Sequence, residues 1–228
     1  MKKTVLFGNR IKVAFSELED GNMRYFCERD ESEIIKNQKL LSRSIGLDKT
    51  ARICTVYDDR NSFTEYGVVT KENFVKYSIE NPEQKIPVTD GLVTKEPGIG
   101  ILLPLADCLG IVVFDEKQEI VGLLHAGRQN IEEDGPKKFV EFFKDEFGSD
   151  PKNLKVYFSP YAQNYQIYKL DNKKLGVAVK EQLIGAGVPV ENILDPEIDT
   201  VKSRSLPSYS HGDLKNRFAI VVAKTGAL

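Results

Sequence analysis

Between positions 91 and 126 the chain runs through four short apolar stretches, "GLVT", "IGILLPL", "LGIVVF" and "EIVGLL", separated by turn residues. None of them alternates apolar with polar positions, so strands built from them must be covered on both faces. That requirement predicts a mixed β-sheet core flanked by helices, of α/β or mixed α+β class. The helices are legible around it. Asp30 and Glu33 have capping-box spacing, Ile34, Leu41 and Ile45 lie near one face, and Gly46 suits the end of that helix. Phe139, Phe143 and Phe147 repeat every four residues in a second helix, predicted over 137–147. A third spans about 172–184 and buries Leu175, Val179 and Leu183. Residues 4–16, "RICTVYDD", "LKVYFSP" and "RFAIVVAK" read as further extended segments. One stretch, around residues 60–89, is polar and mixed and reads as an irregular insertion in a single domain covering 1–228.

Several classes of function are excluded or disfavoured by the totals. With 41% hydrophobic and 29% charged residues the chain has enough apolar material to fold. Its 32 basic and 34 acidic residues are interspersed and give a net charge of -2, which offers no field for a phosphate backbone, so no nucleic acid partner is expected. No run approaches the roughly 20 apolar residues of a membrane span, and the N-terminal apolar stretch is too short for a signal peptide; the expected location is the cytoplasm. Cys27, Cys54 and Cys108 show no close-spaced metal motif and are expected as reduced thiols.

One of these cysteines and one of the two histidines of the chain fall in the same candidate hairpin. If "DEKQ" turns symmetrically about Glu116 and Lys117, Cys108 lies directly opposite His125, and opposed residues share a face. A sulfur and an imidazole then meet a common ligand or each other. Gly127 lets the backbone after His125 come close to a ligand, and Asp107, on the other face, is placed to cap a turn or orient a neighbour. Two core strands that carry a Cys and a His by packing alone fit the same residues. Chemistry leaves both readings open.

The segments "TDGLVTKEPG", "LADC" and "LLHAG", in that order and spacing, resemble the laccase-domain family. Its members are described as multicopper polyphenol oxidases or peptidoglycan editing factors and are assigned purine nucleoside phosphorylase activity. Fainter likeness covers "FSELEDGNM", "IIKNQKLLSRSIGLD", "YFSPYAQNYQIY" and "SHGDLKNRFA". The resemblance implies a laccase-domain, cysteine-hydrolase-like fold and a zinc ion held by a cysteine and two histidines. The cysteine falls on Cys108 and one histidine on His125. The other falls on Tyr57, a poor replacement because a phenol, with pKa about 10, is protonated at neutral pH. His211 is then the candidate third ligand. Further departures occur at Arg128-Gln129-Asn130, where the family has Trp-Arg-Gly, at Gly212 in place of paired arginines, and at Ser159-Pro160-Tyr161-Ala162-Gln163.

The resemblance implies Cys108, His125 and Asp107 as catalytic residues, Arg128, Arg217 and Tyr57 as substrate- or phosphate-binding residues, and purine nucleoside and phosphate as substrates of a monomer or homodimer. Zinc is the expected cofactor if a third ligand is found. Two histidines do not supply a multicopper centre, so copper oxidase chemistry is not expected. Two other functions remain open. One is a non-catalytic member that keeps the fold. The other is a metal-free Cys–His thiol hydrolase or deamidase, since the family fold is similar to that of cysteine-dependent toxin deamidases.

Overall fold

The computed structural model describes residues 1–24, 31–55, 61–81 and 85–225. Its strands and helices, in chain order, are β1 (Lys2–Leu6), β2 (Ile11–Phe15), α1 (Glu31–Arg43), β3 (Lys49–Arg52), β4 (Tyr66–Val69), α2 (Phe74–Tyr77), β5 (Gly91–Thr94), β6 (Ile99–Leu105), β7 (Leu109–Asp115) and β8 (Ile120–Ala126). There follow α3 (Arg128–Glu132), α4 (Gly135–Phe147), β9 (Leu154–Phe158), β10 (Gln166–Ile167), β11 (Lys173–Lys174), α5 (Leu175–Gly185), β12 (Ile193–Leu194) and β13 (Phe218–Lys224).

The strands that are apolar at every position are covered by layering. They form two mixed sheets, in the orders β1-β2-β13-β6-β3 and β12-β9-β7-β8-β5-β4, where one sheet was expected. In β13, Phe218, Ile220 and Val222 pack with Val112, Phe114, Val121 and Leu123 of the facing sheet. Its alternate residues, Ala219, Val221 and Ala223, pack outward with Leu41 of α1 and with Ile45. Across the core, Ile111, Val113, Ile120 and Leu124 turn their side chains onto Phe139 and Phe143 of α4 and Val179 of α5. The order through the molecule is therefore α1, sheet, sheet, and α4 with α5, and strands such as β7 and β8 are buried along their whole length.

β6 and β7 follow one another in sequence but belong to different sheets, so residues 106–108 carry the chain from one layer to the other. The stretch read as an irregular insertion contains β4 and α2. β4 extends the six-stranded sheet parallel to β5, and Tyr66 sets its ring edge-on to Phe139 and Phe142 at 5.0 and 5.5 Å. Four residues with a central glycine are too few to show a period. Residues 4–16 are a hairpin that turns through Phe7, Gly8 and Asn9, all at positive φ. Asp30 and the end of "RICTVYDD" lie outside the described residues. Among the described residues, no helix is long and apolar enough to cross a membrane.

Gly122, central in β8, faces α4: a Cβ there would meet Phe139 and Phe143 at 2.9 Å. Gly122→Ala should destabilise the protein by about 1–3 kcal/mol through overpacking. A urea midpoint lowered at unchanged slope is the expected measurement, and an unchanged midpoint would show that the rings have room to retreat.

Candidate functional site

The site grows out of strand parity. Val121 and Leu123 of β8 point into the layer between the sheets, so His125, two residues on, points the same way at the strand end. Val112 and Phe114 of β7 face that layer too, and Cys108, at the same parity just before the strand, packs against it. The register differs from the expected one. Gly110 pairs with His125 and Leu109 with Ala126, so the hairpin is centred on Lys117 and Gln118, two positions away from direct Cys108–His125 opposition. A slip of two preserves the face, and the two side chains become diagonal neighbours.

Gly127 shows how closely they converge. Its φ of -87 is ordinary, but a Cβ at this position would lie 2.8 Å from His125 Cε1, 3.2 Å from His125 Nε2 and 3.4 Å from Cys108 Sγ. Sulfur and imidazole thus border one small volume that the missing side chain leaves open. They line a cavity of about 290 Å³, small enough for a single low-molecular-weight ligand. Its walls also carry Arg24, Thr55, Arg128, Gln129, Tyr165, Tyr209 and Arg217, brought from strand ends and loops far apart in sequence.

Asp107 lines the cavity, but its carboxylate is engaged. Thr200 Oγ1 donates to one oxygen at 2.7 Å and the Ser210 N–H to the other at 2.6 Å, while Ala162 N–H donates to its carbonyl at 3.0 Å. The residue is buried and sits at φ 74. The arrangement makes Asp107 an anchor that ties the 199–210 loops to the crossing between the sheets. Arg128 opens α3 and reaches Glu132 at 3.4 Å, and Glu132 in turn pairs with Lys169 at 3.1 Å. Arg217 donates to the Asn216 carbonyl at 2.7 Å, and Arg24 donates to the Thr55 carbonyl at 3.2 Å. The Ser159–Gln163 loop serves as support. The Tyr161 hydroxyl donates to Asp195 at 3.0 Å, and burial, with that carboxylate beside it, pushes the phenol above its ordinary range and keeps the proton in place.

His211 is not brought to the pair. It is exposed and lines a different hollow, with Leu18, Ser208 and Asp213. The cause is local: its N–H and that of Asp213 both bond to Ser208, curling the loop so that Ser210 faces Asp107 and His211 faces away. Tyr57 and Cys27 lie outside the described residues. Arg24, Thr55, Tyr165 and Tyr209 carry no motif of their own; the sequence signal for three of them is proximity to segments of family likeness, since Arg24 follows "GNM", Tyr165 lies within "YFSPYAQNYQIY" and Tyr209 directly precedes "SHGD".

Zinc, implied by the resemblance, can be tested against these donors. Cys108 and His125 are suitable ligands, but a catalytic zinc takes three protein groups. Among the described residues no group of three His, Cys, Asp or Glu side chains is gathered to hold a metal ion, and the Asp107 carboxylate is already occupied. Among the described residues, the donors present do not make up that centre.

Residues 5–173 match the family described as multi-copper polyphenol oxidoreductase laccase. The chain belongs to this family. The laccase-family match includes Asp107, Cys108, His125, Arg128 and Tyr165 and stops short of Tyr209 and Arg217. Among relatives, a purine nucleoside phosphorylase of Borreliella burgdorferi is 27% identical over 112 residues, 48% of each chain. The chain spans about half the length of the first three curated relatives it matches, all carrying that name. Purine nucleoside phosphorylase Cj1217c of Campylobacter jejuni is 26% identical over 94% of this chain and 98% of its own. A probable chemoreceptor glutamine deamidase CheD of Caldanaerobacter subterraneus is 26% identical over 130 residues, 49% of this chain and 79% of that one. The YfiH structure from Bacillus licheniformis superposes with a TM-score of 0.79 at 17% identity, covering 93% of this laccase-family chain and 92% of its own, which shows a shared fold.

Proposed function

We infer that this cavity performs phosphorolysis of a purine nucleoside. The observation that carries the reading is the lining: three arginines, Arg24, Arg128 and Arg217, share one small cavity with His125 and two tyrosines, Tyr165 and Tyr209. Guanidinium forks match phosphate oxygens and hold the nucleophile. Tyrosine rings offer flat faces to a purine. In the reaction a phosphate oxygen attacks the anomeric carbon, the bond from sugar to base breaks, and its electron pair leaves on the base nitrogen. The leaving base takes up a proton, for which the His125 imidazole, at the inner wall, is the donor. The names of the relatives, including one matched along nearly its whole length, support this chemistry.

The test is release of hypoxanthine from inosine, and of adenine from adenosine, with and without inorganic phosphate. Release that requires phosphate is expected. Arg128→Ala should raise the KM for phosphate by about tenfold, the loss of one charge-assisted contact, and change the KM for nucleoside little. No phosphate-dependent release from the wild-type protein would overturn this reading.

A further inference from the structure

A lysine stands at an inward position of the sandwich. Lys2 is the register partner of Phe15 in the β1–β2 hairpin, and Phe15 belongs to the layer between the sheets, so the two side chains share that face. Thr4 and Leu6 follow at the same parity, and Leu6 is in the core. The cause is position: β1 is the last strand of its sheet, and the short β12, beside β9, ends the other. Residues of β1, β2 and β9 here enclose a hollow of about 300 Å³, as roomy as the cavity of Cys108 and His125 and sharing no lining residue with it.

Two observations in this hollow point to a ligand. The first is Tyr157 of β9, which is only 5% exposed, packs in the layer between the sheets and lines the hollow, yet among the described residues its hydroxyl makes no hydrogen bond. A buried hydroxyl is seldom left without an acceptor. Burial, with Asp195 nearby, pushes this phenol above its ordinary range, so it keeps a proton to donate. The second is the charge of the lining, where Lys2 and Lys3 stand against a single carboxylate, that of Glu17. Ser205 donates to this carboxylate and the N-terminal ammonium lies 3.4 Å from it, which holds it below the ordinary carboxylate range and leaves the surplus charge positive. Phe15, Ile198 and Leu206 make the remaining walls apolar. We propose that this hollow is a second binding site, for a small organic carboxylate whose apolar body lies against Phe15 and Leu206 while its oxygens accept from the Tyr157 hydroxyl and are drawn by the ammonium of Lys2. The site goes beyond phosphorolysis and does not depend on it. A few polar groups set in an apolar wall are the usual make-up of a small-molecule pocket.

The experiment is a calorimetric titration of the full chain with sodium benzoate in a low-salt, phosphate-free buffer. A Kd of about 0.1–1 mM is expected for a molecule of that size. Tyr157→Phe keeps the ring and its packing, removes only the hydroxyl and should weaken benzoate about tenfold, the loss of one charge-assisted hydrogen bond. Replacing both lysines, Lys2→Gln with Lys3→Gln, should weaken it about threefold, with a smaller difference at high salt. Benzamide, which has the shape without the charge, and acetate, which has the charge without the apolar body, should each bind at least about tenfold more weakly than benzoate. Hydrogen exchange locates the ligand: the Leu18 N–H, which donates to the Ser205 carbonyl at 2.8 Å beside the hollow, should exchange more slowly when benzoate is bound, and Arg128→Ala should leave the affinity unchanged. Thermal melts separate lost binding from lost fold, and the exposed lysines carry the test if the phenylalanine variant is unstable. No binding up to about 10 mM, benzamide as tight as benzoate, wild-type affinity in Tyr157→Phe, or binding lost in Arg128→Ala would each overturn the proposal.

Discussion

In Gly127→Ala, turnover in the cavity is expected to fall by about 100-fold, the order of loss that an ångström of misplacement produces. The backbone at Gly127 accepts any residue, with φ -87 and ψ 173, so no conformational strain is introduced. The whole effect comes from the new methyl group, which would press on His125 Cε1 at 2.8 Å and approach Cys108 Sγ at 3.4 Å. His125 has little room to yield, since it is buried and its backbone N–H is fixed to the Asp90 carbonyl at 2.7 Å. Stability should drop by only about 1–3 kcal/mol. Gly185→Ala is the matched control: a Cβ at the end of α5 meets nothing within 4 Å, and activity should be unchanged. Hypoxanthine release, assayed on both variants, checks the prediction; wild-type rates in Gly127→Ala would show that the imidazole is not confined there.

Asp107→Ala should be the most destabilising change near the site, by about 3–5 kcal/mol. Two hydrogen bonds to a carboxylate are lost, each worth about 1.5–3 kcal/mol, and alanine in the left-handed region costs about 1–2 kcal/mol more than aspartate does. Some of this is recovered as water reaches the 200–210 loop, which keeps the total below the sum. Asp107→Asn should cost less than half as much, because asparagine tolerates φ 74 and its amide oxygen still accepts one of the bonds from Thr200 and Ser210. Urea unfolding measures the difference, and hydrogen exchange at the Ser210 amide, fast in the alanine variant and slow in wild type, locates it. Equal stability of the two variants would mean that neither the charge nor the αL preference matters at the crossing.

What the sequence revealed and what it concealed follow from the same physics. The apolar runs required two covered faces and were found as β5 to β8, and the helical repeats of 137–147 and 172–184 became α4 and α5. One sheet or two could not be told apart, because a strand between a sheet and a helix looks apolar on both faces either way. The hairpin turn is not symmetric about Glu116 and Lys117, because Asp115 Oδ1 accepts the N–H groups of Lys117 and Gln118, moving the turn onward, and Glu119 closes it at φ 54. The convergence of Cys108 and His125 is preserved through parity alone. His211 does not join them, since the direction of a loop is set by contacts such as those to Ser208 that leave no periodic trace.

β13 lies between β2 and β6 in the middle of its sheet although it is the last strand in chain order. A polypeptide emerging from the ribosome therefore holds two open, apolar edges until residue 218 and its successors arrive, and pairing across so long a separation is slow. During that interval, the exposed borders of β2 and β6 are templates for other chains, so cutting back the final segment would favour aggregation before any chemistry could be lost.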